Sequence, residues 1–230
     1  MKKFVPLALS ILLLAGCTAK TQTSGGAGSE NTQQTESSKT ALEEAVSADM
    51  STEQPPEFLS DENKELFEKA EYIYFNTNIS TGFNFTASEE NKTTDFEGSE
   101  ERGAAFKTDY DYSDFKDYLK STFTGDALNE IQLAADSAYL KTSDGKLCWI
   151  DAARGSNLTY KDKQFELVSE SDDKIEFKAI ANYSWDAVYD TEEKFKQSGI
   201  EGDYNWSEEY KFELTKTDKG WRVSHFEGWK

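Results

Sequence analysis

One imidazole limits the chemistry open to this chain. Its 230 residues include a single histidine, His225, and two cysteines, Cys17 and Cys148. A Ser-His-Asp or Cys-His arrangement needs an imidazole to take the nucleophile's proton, so any such site must use His225. Cys148 stands beside Trp149 in a run with strand-like alternation, where a thiol packs as a small apolar group. No H-E-x-x-H, zinc spacing, P-loop or G-x-G-x-x-G occurs. The acidic runs Glu97-Gly-Ser-Glu-Glu101 and Glu208-Glu209 lack the ligand spacing of an EF-hand and read as solvated charge. With 44 acidic residues, paired carboxylates of the glycoside-hydrolase kind are too numerous for any pair to be informative. The expectation is a protein that is not an enzyme, with no catalytic residue, no metal and no cofactor.

Two other sets of residues point to binding. Trp149, Trp185 and Trp221 belong to a group of five indoles, many for a small domain. They could line a pocket between helix and sheet or pack as core. Arg154 sits in Asp151-Ala-Ala-Arg-Gly-Ser-Asn157, a loop between strands. With Asp151 and Asn157 it is a candidate partner-binding patch, since an exposed loop arginine suits an interface anchor. A local salt bridge from Arg154 to Asp151 is the alternative.

The elements that must carry these residues start with the leader. Lys2 and Lys3 precede an apolar stretch, Phe4 to Leu14, too short to span a bilayer. Leu14-Ala15-Gly16-Cys17 follows at once. The order is that of a secretory signal, and the four residues resemble the lipobox of bacterial lipoproteins. The resemblance implies cleavage before Cys17, a thioether-linked diacylglycerol on its sulfur and a lasting anchor in the outer face of the cell membrane. The expected location is extracytoplasmic. Cys148 is then the one remaining thiol, which leaves no intramolecular disulfide. Net charge is −19 at pH 7, more acidic still without Lys2 and Lys3. Nucleic acid is excluded as a partner, because phosphate contacts need clustered Lys and Arg.

From Thr18 to about Ser60 the chain is rich in Thr, Ser, Gln, Glu and Gly, with Phe58 its only aromatic. Such a segment buries too little to offset ordering entropy. Residues 17–60 therefore read as a disordered linker, with a reach of roughly 35–40 Å. The leader is 1–16 and the folded domain 61–230.

Within the domain, Ser60 caps a helix over Asp61 to Phe75, with Leu66, Phe67, Ala70, Ile73 and Tyr74 on one stripe. A second helix covers Asp114 to Thr122 with Ser113 as cap, and a third follows Gly125. The period then changes to two. Tyr139–Thr142 and Leu147–Ile150 flank an Asp144-Gly145 turn. Strands follow at Gln164–Ser169, Ile175–Trp185, Trp206–Thr215 and Trp221–Phe226. Phe83, Phe85 and Ala87 suggest one more strand. Helices followed by strands predict an α+β fold, with N-terminal helices packed on one curved antiparallel sheet. A monomer is expected.

The closing Asp218-Lys219-Gly220-Trp221-Arg222-Val223 resembles the last strand of nuclear transport factor 2-like (cystatin-like) domains, which implies a cone-shaped fold. Tyr118-Leu119, Phe123-Thr124, Ser143-Asp144-Gly145-Lys146-Leu147, Arg154-Gly155-Ser156-Asn157 and Tyr160 together resemble the DL-endopeptidase (autolysin) inhibitor family. That resemblance covers residues 110–230. It implies a binding protein that restrains a cell-wall cysteine endopeptidase by protein–protein contact. The acidic stretch between Trp185 and Trp206 departs from the family's pattern. The alternative function is a small-ligand-binding lipoprotein using the aromatic pocket.

Overall fold

The structure is a computed structural model that describes residues 41–46, 55–78, 83, 85–151 and 157–228. Residues 41–46 form a short helix, α1, and α2 spans Asp61–Asn78. Leu42 and Val46, four apart on α1, are wholly buried, and Leu59 nearly so. All three fall in the stretch expected to be linker, so the packed body draws on residues ahead of 61.

Ser60 caps α2 as expected. Its Oγ accepts from the Asn63 amide at 3.3 Å and its carbonyl from the Lys64 amide at 2.8 Å. The helix buries Phe67, Ala70 and Ile73 and runs one turn beyond Phe75. The helix α3 is Ser99–Arg102, α4 is Tyr112–Thr122 and α5 is Gly125–Ala135. Ser113 is not the cap of α4. The helix starts two residues earlier, at Tyr112, with Asp111 at the cap position and no side-chain hydrogen bond. The Tyr112 amide instead donates to the Gly145 carbonyl at 3.0 Å, a tertiary bond that local capping signals do not encode.

Four long strands form an antiparallel meander in chain order: β5 Tyr160–Glu170, β6 Lys174–Ser184, β7 Asn205–Thr217 and β8 Gly220–Phe226. In β6, Ile175, Phe177, Ala179, Ala181 and Tyr183 face the core in strict alternation. Trp185 lies past the strand's end and opens a single 3₁₀ turn, Trp185–Ala187. Phe67 of α2 is inserted among Phe165, Phe177, Phe212 and Phe226, one ring from each strand, at centroid distances of 5.5, 5.2, 5.2 and 5.9 Å. Ring pairs at this spacing add to the burial energy. The same helix and sheet share a buried ion pair. Lys163 of β5 donates to Glu71 of α2, with side-chain exposures of 4% and 3%.

The expectation of a single sheet does not hold. A second four-stranded antiparallel sheet has the order β1-β2-β4-β3, with β1 Lys92–Thr93, β2 Ala105–Asp111, β3 Tyr139–Lys141 and β4 Lys146–Trp149. The Asp144-Gly145 hairpin forms between β3 and β4, with Gly145 at φ +85° in the left-handed region that glycine tolerates. It pairs with β2 and not with the meander. Phe83 and Phe85 do not lie on a strand. Phe83 is wholly buried and plugs the core against the rings of Tyr72, Phe115 and Tyr139.

The acidic stretch after Trp185 folds on a small core of its own. Helix α6, Glu192–Ser198, is capped by Thr191, whose hydroxyl accepts from the Lys194 amide. It buries Phe195 among the rings of Trp185, Tyr189 and Tyr204 at 5.7 to 5.8 Å. The Tyr204 hydroxyl ties the loop by donating to the Tyr189 carbonyl at 2.8 Å.

Candidate binding cavity

Where α2 ends, α5 packs against both it and β8. A cavity of about 390 Å³ results, a volume at the small end of ligand sites. Tyr74 and Asn78 come from the last turns of α2, and Ala127, Glu130 and Ile131 from one face of α5. Phe123, between α4 and α5, supplies another wall. Glu209, Tyr210, Phe226, Glu227 and Gly228 come from β7, β8 and the chain after it. Their positions follow from the backbone. The Thr124 amide donates to the Val223 carbonyl at 2.9 Å and pins the start of α5 to β8. The 5.0 Å contact of Phe226 with Phe212 fixes the floor, and Tyr74 lies over Phe226 at 4.9 Å.

The walls are neutral and the rim is acidic. Burial and the nearby Glu130 carboxylate both push the Tyr74 phenol above its ordinary pKa, against a smaller opposing pull from the Gly228 backbone. Burial and bonds to Glu208 and Tyr183 raise Tyr210 further. The two tyrosine hydroxyls, Tyr183 and Tyr210, are 2.8 Å apart. On the rim, Glu209 pairs with Lys178 at 2.7 Å. Glu227 accepts the Lys211 amide at 2.7 Å and faces His225 Nε2 at 3.4 Å. Glu130 makes no hydrogen bond or ion pair among the described residues.

No family model matches this chain, and a search of curated proteins finds no significant match. The site must therefore be judged on its own residues.

The three indoles singled out from sequence lie in three places, and none lines the cavity. Trp149 is buried in β4 against Phe85 and Phe106. Trp185 stacks on Phe195 in the small loop core. Trp221 opens β8, with the Lys216 ammonium 5.9 Å from its ring centroid. Among the described residues no ring contact joins any two of them. A pocket between helix and sheet is present, but phenylalanines and tyrosines build it. The signal was available in Tyr74 and in Ala127-Ile131, apolar positions at the ends of helical stripes with no partner nearby in sequence.

Asp151 and Asn157 are both exposed. Asn157 Oδ1 accepts from the Thr159 amide and hydroxyl, at 3.0 and 2.6 Å. Arg154 and Cys17 lie outside the described residues. Cys148 and His225 belong to different sheets. Cys148 is wholly buried beside Phe96 and Ala105, and burial pushes its thiol up to about 11. Among the described residues no cluster of His, Cys, Asp and Glu could hold a metal ion, and no helix is long and apolar enough to cross a membrane.

Proposed function

We propose that the chain is an extracytoplasmic binding protein, held to the membrane through lipid on Cys17, whose binding site is the cavity between α2, α5 and the closing strands. The cavity is the observation that carries the reading. It is a half-open space with aromatic walls and a few polar groups at its mouth, the composition of a small-ligand site. The long α2 lying across a four-stranded meander supports a cone-shaped, cystatin-like arrangement. The leader residues Lys2, Lys3 and Leu14-Ala15-Gly16-Cys17 support export and anchoring.

The test is thermal stability of the full chain against classes of small molecules, beside an Ala127→Phe variant that fills the cavity. A ligand that binds only the folded state raises its stability by mass action. Stabilisation of the wild type and not of the filled variant is expected. Stabilisation of both alike would place binding elsewhere and defeat the reading. A second reading is restraint of a cell-wall cysteine endopeptidase by protein–protein contact. The exposure of Asp151 and Asn157, at the two ends of the loop expected to make that contact, favours it. Undiminished hydrolysis by such an enzyme at saturating domain would exclude it.

A further inference from the structure

We infer that the cavity takes a small organic cation, an alkylammonium or quaternary ammonium group, held over aromatic faces and drawn in by carboxylates. The inference rests on the cavity being the binding site and goes further by assigning the ligand's charge. Three carboxylates, Glu130, Glu209 and Glu227, share one mouth, and among the described residues no lysine or arginine lines it. Two of the three have close partners, the Lys178 ammonium for Glu209 and the His225 ring for Glu227. The charge of Glu130 is uncommitted among the described residues. Glu130 acts on the Tyr74 phenol, so its charge is felt inside the space and not only in solvent. The walls offer the rings of Tyr74, Phe123, Tyr210 and Phe226. Ring faces carry negative quadrupole density, and with nearby carboxylates they favour a desolvated cation. An anion would meet repulsion from all three carboxylates.

The test is calorimetric titration of the full chain with choline and with its uncharged isostere dimethylbutanol. Choline is expected to bind at least tenfold more tightly than the isostere. Glu130→Gln is expected to weaken choline about tenfold and leave the isostere unchanged. Glu130 is exposed on α5, so this substitution leaves the core intact. Ala127→Leu should abolish both. Equal affinities for the two probes, indifferent to Glu130→Gln but lost in Ala127→Leu, would overturn the cationic assignment and leave the cavity as a binding site. Failure of choline to bind the wild type would overturn the cationic assignment, and failure of both probes would count against the cavity reading as well.

Discussion

Glu71→Gln should destabilise the fold more than any surface charge substitution. The Glu71 carboxylate and the Lys163 ammonium join α2 to β5 with side-chain exposures of 3% and 4%. The ammonium also lies 5.3 Å from the Phe165 ring centroid, inside the apolar layer. Removing the carboxylate's charge takes away an opposite charge held against the ammonium in low dielectric, a change that costs about 3–5 kcal/mol at a buried pair. At about 2–4 °C per kcal/mol for a domain of this size, the melting temperature should fall by about 6–20 °C. Urea unfolding followed by tryptophan fluorescence measures it, with the midpoint lowered and the slope unchanged. Salt supplies a control. A buried pair is screened little, so the loss should persist at high ionic strength, unlike that from the exposed Lys196–Glu192 pair. A loss under about 1 kcal/mol for Glu71→Gln, in the range of exposed pairs, would refute the buried placement of this pair.

Three further outcomes follow from the packing. Phe67→Ala removes the ring that the four strands close upon and should cost about 3–5 kcal/mol in the same unfolding assay; a loss below about 1 kcal/mol would contradict that packing. Phe195→Ala should act locally, raising hydrogen exchange across 186–204 while the amides of β6 stay protected, because Phe195 packs in the separate loop core. Cys148 should resist alkylation in the native state near pH 8 and react rapidly in urea, since it is wholly buried and its thiol is pushed up to about 11. Rapid native labelling at one equivalent would show the thiol to be accessible.

What the sequence made legible tracks how each element is buried. The α2 stripe and the alternation of β6 were readable because each has one buried face and an intact period. The strand β2 was missed because Ala105-Phe-Lys-Thr-Asp-Tyr-Asp111 is half-buried on both sides and shows no clean alternation. Phe83 and Phe85 had the spacing of a strand, yet tertiary packing uses Phe83 as a plug. Pairing between strands far apart in the chain is not written in local period, so the β3–β4 hairpin was legible while its partner β2 was not. Leu42 and Val46 read as part of a transient helix in the linker, because two apolar residues four apart among acidic neighbours are too short a pattern to mark a core face. The cavity could be anticipated as a place between helix and sheet. Tyr74 and Ala127 stood out one by one as apolar helix positions, but their convergence with Phe123, Tyr210 and Phe226 could not be read, because these come from segments far apart in the chain.

The proposed function requires that a ligand enter this cavity. Methyl-resolved NMR of the full chain during a choline titration measures that. Saturable shifts are expected at the Ala127 and Ile131 methyls, with the Leu140 methyls in the other sheet unmoved. Shifts absent at Ala127 and Ile131, or spread evenly over both sheets, would contradict the proposed function.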